Sequence, residues 1–132
     1  MKKYFNLRTG KDVEYIGDFE DVEKVVTNKY NELLNTREYD AVLDMYFNDI
    51  EEMTLYSVEF ADEAGYCGND DYFCTAEEAC EYIKNEFEYD EKDYLSAFLR
   101  KNTVIIDTAD TLEQCFDTIV TTPVYTFQNT KS

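Results

Sequence analysis

Apolar side chains recur along this chain with two different periods, and the changes of period mark the expected elements. Residues 3–7 and 13–16 are short extended runs on either side of Thr9-Gly10-Lys11, so two strands joined by a turn are expected. The period then lengthens. Phe19, Val22, Val26, Tyr30 and Leu33 repeat at helical spacing behind Asp18, a suitable N-cap, with Asp21 at the positive helix end and Asn35-Thr36 at the finish. Residues 38–50 fit both periods. Tyr39, Val42, Leu43, Tyr46, Phe47 and Ile50 form a helical stripe, while Tyr39, Ala41, Leu43, Met45 and Phe47 alternate. A strand is slightly preferred, with Asn48-Asp49 turning the chain into an extended run at 53–60 rich in Thr, Tyr, Val and Phe.

Residues 61–71 hold two of the four glycines and read as a loop. Thr75 and Glu78 form a capping box ahead of a helix with Ala76, Ala79, Cys80, Ile83 and Phe87 on one face. After an acidic break, Tyr94, Leu95, Phe98 and Leu99 predict a second helix, closed by the cations Arg100 and Lys101. Residues 103–106 read as a buried strand. Asp110 and Thr111 cap a helix that turns Leu112, Cys115, Phe116 and Ile119 inward, and 124–127 form a last strand after Pro123. Strands and helices mix without regular alternation, and no repeat, linker or low-complexity tract interrupts them. The expected class is α+β: a single domain over 1–132, with a small, mostly antiparallel sheet packed with three to four helices. At 132 residues and 44% apolar composition, the chain suits one core.

Composition narrows the chemistry. With no histidine, a His-based triad, a His-ligated zinc and a His-held haem are excluded within this chain. No Gly-rich phosphate loop, no G-x-S-x-G and no EF-hand order is present, so neither an enzyme nor a cofactor or metal site is expected. Four cysteines, Cys67, Cys74, Cys80 and Cys115, include no CxxC pair. Cys80 and Cys115 fall on apolar helix faces and are expected to be buried. Cys67 and Cys74 flank an acidic loop, and would pair only in an oxidising compartment. The first eight residues carry no apolar run of signal-peptide length, and no stretch approaches the ~20 apolar residues of a membrane span. A cytoplasmic protein with no membrane contact is expected.

Charge changes the picture most. Thirty acidic residues face 12 basic ones, for a net charge of −18. Residues 1–11 hold Lys2, Lys3, Arg8 and Lys11 and no acid, whereas 38–93 hold 19 acids against Lys84 and Lys92. Direct binding to nucleic acid is therefore disfavoured, since phosphates would meet charge of their own sign. A basic nucleic-acid-binding protein is the better partner. Successive carboxylates on one helix face lie about 6 Å apart, and duplex phosphates recur every ~3.4 Å of rise on each strand. A carboxylate array of this spacing suits sites built for phosphate, because arginine forks pair with either anion.

The partner-binding candidates lie in that acidic middle. Asp62, Glu63, Asp70 and Asp71 belong to the loop, Glu77, Glu78 and Glu81 to the helix, and Glu88, Asp90 and Glu91 to the stretch beyond it. Tyr66, Tyr72, Tyr82 and Tyr89 interleave with them outside the expected core stripes. Exposed tyrosine supplies contact area at low entropic cost and stacks on guanidinium groups.

In Gly68-Asn69-Asp70-Asp71-Tyr72-Phe73, in Glu86-Phe87-Glu88-Tyr89-Asp90 and in the composition of 38–93, the chain resembles phage and mobile-element inhibitors of bacterial defence. These are the anti-CRISPR proteins and the DNA-mimicking anti-restriction proteins. The resemblance implies a non-catalytic inhibitor in the host cytoplasm that occupies the basic nucleic-acid channel of a nuclease. A CRISPR effector comes first and a restriction-modification enzyme second. The alternatives are an acidic adaptor or structural protein whose charge serves solubility, and a weak divalent-cation binder.

Overall fold

A computed structural model describes residues 1–66, 68, 70–89 and 93–130. The chain opens with an antiparallel hairpin, β1 (Lys2–Asn6) and β2 (Lys11–Tyr15), turned by Gly10 at φ 68°. Helix α1 (Phe19–Thr36) follows, and then a two-residue pair, β3 (Tyr39–Asp40) and β4 (Met45–Tyr46). Next come β5 (Ile50–Asp62), β6 (Gly65–Tyr66), β7 (Asp71–Phe73) and α2 (Ala76–Phe87). The chain continues through β8 (Ser96–Asp107) and α3 (Leu112–Asp117) to β9 (Val120–Gln128). The protein is α+β, with every described strand pair antiparallel. Its main sheet has five strands, larger than the sequence leads one to expect, and three helices accompany it.

The long strands β5 and β8 pair without a break from Ile50 opposite Asp107 to Ala61 opposite Ser96. β6 and β7 pair along the other side of β5, and β9 forms the edge beside β8. Side chains alternate between the faces of a strand, so this register sorts the sheet into two surfaces. On the first, Met53, Leu55, Val104 and Ile106 pack with Val22 and Val26 of α1, with Leu112 and Phe116 near α3, and with Tyr72. On the second, Val58, Phe60, Ala97 and Leu99 pack with Ala79 and Ile83 of α2, and with Tyr4 and Tyr15 of the first hairpin. The two cores thus lie on opposite faces and toward opposite ends of the β5–β8 pair.

The changeover is marked by a buried polar network. Asn102 Nδ2 donates to Ser57 Oγ at 3.0 Å and to the Leu55 carbonyl at 3.4 Å, and Thr121 Oγ1 donates to Asn102 Oδ1 at 2.7 Å. From Asn102 toward the end where Ala61 lies opposite Ser96, the first face carries Glu59 and Arg100 beside the Phe98 and Tyr66 rings, and the second face becomes apolar.

Local signals place the helices. Asp18 accepts from the Asp21 N–H at 3.1 Å while the Asp18 N–H donates to Asp21 Oδ2 at 3.0 Å, a reciprocal capping box. Gly17, at φ 121°, is required there, because a Cβ would stand 2.1 Å from Asp21 Oδ2. The Gly17 carbonyl also accepts from the Tyr72 N–H at 2.8 Å, and the Ile16 N–H donates to the Tyr72 carbonyl at 3.0 Å, tying the start of α1 to β7. Thr111 and Gln114 form a second box at α3. At α2 the box is modified: Thr75 accepts from the Glu78 N–H, but the Glu78 carboxylate takes the Thr75 hydroxyl at 3.1 Å.

Four expectations need correction. The helix expected around Tyr94, Leu95, Phe98 and Leu99 is instead the approach to β8 and its first half. Residues 38–50 form neither a long strand nor a helix, but the small β3–β4 hairpin, with its large side chains exposed. The loop expected at 61–71 begins as a hairpin, with Ala61 and Asp62 ending β5, Glu63 and Ala64 turning and Gly65 and Tyr66 forming β6, and Asp71 already belongs to β7. Finally, β9 begins before Pro123 and runs through it, which an edge strand tolerates, with a register shift beside Arg100.

The Asn102 network generates a stability prediction. Replacing Asn102 with Ala leaves the Ser57 hydroxyl and the Leu55 carbonyl without this partner, which costs about 1–3 kcal/mol. Thr121→Val removes the donor to Asn102 Oδ1 at the exposed end of the network, where water can take the place of the Thr121 hydroxyl, and costs about 1 kcal/mol or less. Urea unfolding of the two variants beside the parent measures both losses; equal stability of Asn102→Ala and the parent would contradict the assignment.

Candidate functional site

Of the fourteen sequence candidates, the structure describes twelve and divides them into three sets. One gathers where β5 turns into β6 and β7. Asp62 accepts the Ala64 N–H at 2.9 Å and shapes that turn, in which Glu63 is exposed. Tyr66 is 67% exposed, with its ring 5.4 Å from that of Phe98. Asp70 is half-buried, with Arg100 Nη1 at 4.0 Å.

The second set belongs to α2. Glu77 and Glu88 are exposed, Glu78 is committed to the Thr75 cap, and Tyr89 is half-buried. Glu81 lies 3.9 Å from Arg8 Nη1 and 3.8 Å from Lys84, and Glu88 lies 3.9 Å from Arg8 Nε. The basic N-terminal segment therefore comes to rest on acids of its own chain. Lys2 does the same, 3.2 Å from Asp21 and 3.6 Å from Asp18. Asp90 and Glu91 lie outside the described residues, as does Cys67.

The third set faces inward, against expectation. Tyr72 is buried in the first core, and burial pushes its phenol up to about 12. Tyr82 sits at the centre of the second, with ring centroids of Tyr4, Phe73, Phe60 and Tyr15 at 4.9, 5.0, 5.9 and 6.1 Å. Its hydroxyl donates to Asp71 at 3.0 Å. Burial, then the charges of Asp71 and Glu86, holds this phenol far above its ordinary range. Burial also holds the Asp71 carboxyl above the usual carboxylate range, although the Tyr82 bond pulls the other way. The reason is alternation within β7: Asp71 and Phe73 sit on the second face and Tyr72 on the first. Tyr72 is thus a core residue and Tyr82 and Asp71 pack half-buried against the second core, and among the described residues of 62–89 these three break the tyrosine-lined carboxylate row.

A different acidic arrangement takes its place. From Asn102 toward the end of the first face where Ala61 lies opposite Ser96, Glu59 and the neighbouring Asp70 come near Asp18 and Glu20 at the start of α1. With Phe19, Gly68 and Tyr72, these four carboxylates line a cleft of about 450 Å³. Arg100 reaches Glu59 at 2.9 Å and Asp70 at 4.0 Å, and the set stays net negative. Burial and the charge of Glu59 raise the Asp70 carboxyl, with Arg100 opposing. Among the described residues no three Asp, Glu or Cys side chains converge closely enough to hold a metal ion. The space suits a larger cation, the guanidinium or ammonium head of a side chain. Sequence reasoning missed Asp18 and Glu20 because they precede the acidic middle; their visible signal was the cap position at the head of a helix.

The described thiols are quiet. Cys74, Cys80 and Cys115 are free; Cys74 is exposed, Cys115 is buried, and Cys80 is half-buried where full burial was expected. Burial raises Cys74 and Cys80, with Glu78 adding to the shift at Cys74, so thiolate is disfavoured at both.

Asp71 generates a pH prediction. Its carboxyl binds a proton more readily in the folded than in the unfolded chain, so stability falls as pH rises through the window between the two values. Asp71→Asn keeps an acceptor for the Tyr82 hydroxyl and removes the buried charge. The variant is expected to be more stable than the parent at neutral pH, with the advantage gone by about pH 3, below the ordinary Asp value. Urea unfolding at both pH values checks this, and a variant less stable than the parent at neutral pH would contradict it.

No protein-family model matches the chain, and no curated protein or solved structure matches it either.

Proposed function

We propose that this chain is a non-catalytic inhibitor that binds the positively charged nucleic-acid channel of a bacterial defence nuclease. A CRISPR effector is the first class to test and a restriction enzyme the second. The observation that carries the reading is the cleft lined by the four carboxylates of Asp18, Glu20, Glu59 and Asp70, which outnumber the two cations that reach them, Arg100 at Glu59 and Asp70 and Lys2 at Asp18. Arginine and lysine side chains that normally hold phosphate would find carboxylates there instead, and guanidinium forks accept either anion.

A net charge of −18 adds long-range attraction toward a basic channel and repels nucleic acid itself. The mimicry lies in charge presented at this cleft and along the neighbouring turn of α1, where Glu20 and Glu23 line an adjoining groove that also holds Lys24. It does not need a regular row copied from a phosphate backbone.

The test is a cleavage assay with a purified guide-loaded CRISPR effector, and in parallel a restriction endonuclease, each with labelled duplex DNA and increasing amounts of the chain. Inhibition is expected at near-equimolar ratios, relieved by added salt or competing duplex, because the contacts are largely ionic. Joint reversal, Glu20→Lys with Asp70→Lys, is expected to weaken inhibition about tenfold or more while circular dichroism stays unchanged. Failure to inhibit either class, or full inhibition by the reversed variant, would overturn the reading.

A further inference from the structure

We propose that the β3–β4 hairpin is a preformed apolar knob that inserts into an apolar pocket of a protein partner whose rim carries lysine or arginine. This deepens the inhibitor reading by naming the partner's surface, but it stands on different residues. Val42 is 94% exposed and Leu43 59%, and Tyr39, Met45, Tyr46 and Phe47 are each about half exposed. None of the six joins either core cluster. Single exposed apolar side chains need no explanation, whereas six within nine consecutive positions form a patch of the kind that marks an interaction site.

The hairpin is held by its own contacts, although its strands are only two residues long. The Phe47 N–H donates to the Glu38 carbonyl at 2.8 Å. Asp40 Oδ1 accepts the N–H groups of Val42 at 2.8 Å and Leu43 at 3.0 Å. The Tyr39 and Tyr46 rings meet at 5.0 Å, the Arg37 guanidinium lies 4.4 Å over Tyr46, and the Tyr39 hydroxyl donates to Asp44. Asp44 adopts φ 51°, a left-handed conformation that a non-glycine residue holds only when its surroundings impose it. Such local bracing orders the apolar side chains before any partner arrives, and it lowers the entropic cost of docking.

Charge selects the occupant. Glu38, Asp40, Asp44 and Asp49 are interspersed with the apolar side chains, and the one cation of residues 37–50, Arg37, lies on Tyr46. A second copy of this chain would bring the same negative rim, and an anionic lipid surface would repel it. An apolar pocket rimmed by cations meets both parts of the knob at once.

The probe is a synthetic amphipathic peptide of leucine and lysine, about 14 residues or four helical turns long, with the leucines on one face. It is titrated into the full chain while backbone amide chemical shifts are followed. Shifts are expected to centre on residues 39–47. The joint variant Val42→Asp with Leu43→Asp is expected to weaken binding about tenfold or more and to leave the melting temperature unchanged. Leu43→Gln, which keeps the turn free of new charge, should weaken binding in the same direction.

Shifts centred on Asp70 and Glu20, shifts spread over the acidic surface, no binding, or parental affinity in both variants would each overturn the proposal. The nuclease assay is separate. Peptide binding at the hairpin with no nuclease inhibited would leave the knob and remove the inhibitor reading; inhibition with no hairpin shifts would do the reverse.

Discussion

An antiparallel pair of long strands has two faces, and the fold depends on how β5 and β8 divide their apolar side chains between them. Neither face is apolar from end to end. Leu55 and Val104 require cover on one side, Val58 and Leu99 on the other, and the buried Asn102–Ser57–Thr121 network stands where the requirement changes sides. The helices follow from that division. α1 and α3 close the first core, and α2 with the β1–β2 hairpin closes the second. Each face is left with an open half. On the first this is the acidic cleft; on the second it exposes Ile50, Ile105 and Val120. The candidate site is thus a consequence of core placement, since Glu59 of β5 and Asp70, just before β7, stand beside the first turn of α1 where neither core cluster reaches them.

The same change of face explains what the sequence could and could not disclose. Signals contained within four or five residues were legible: the Asp18 cap, the Thr111 cap, the turn at Gly10 and the inward stripe of α1. β8 was not. Ala97 and Leu99 are buried on one face and Asn102, Val104 and Ile106 on the other, so alternation breaks in mid-strand, and the first half imitates a helical stripe that ends in cations. Residues 38–50 were ambiguous for a related reason. Their apolar side chains serve neither core, so no burial period was imposed on them. The tyrosines misled in the other direction. Tyr82 carries a hydroxyl that reads as polar, yet the fold supplies Asp71 as its partner from a strand eleven residues earlier, and sequence spacing has no access to that pairing.

Net charge in the sequence overstated what the surface presents in one place and understated it in another. Arg8 reaches Glu81 and Glu88 and softens the α2 acids that the sequence put first, while Lys2 reaches Asp18 and Asp21 at the head of α1. Asp71 and Glu86 withdraw into half-buried or buried positions. Meanwhile Asp18 and Glu20, from a segment of unremarkable composition, join Glu59 and Asp70 across the fold. What a partner meets is a set of carboxylates that outnumbers the cations beside it, Lys2 at Asp18 and Arg100 at Glu59 and Asp70, and that set is assembled from three separate stretches of chain.

Cleft and hairpin do different physical work on the proposed reading, and each makes good a weakness of the other. Charge attracts a basic channel from a distance and speeds encounter, but over the ~8 Å screening length of physiological salt its contribution weakens, and duplex DNA carries the same advantage. Apolar burial acts only at contact and is insensitive to salt, so it governs how long a complex lasts. A nucleic-acid duplex presents its phosphates outward and keeps its apolar base faces stacked inside. A protein that offers carboxylates together with Val42 and Leu43 therefore has a contact that the duplex lacks. Against a competitor of the same charge, that asymmetry decides which ligand stays bound.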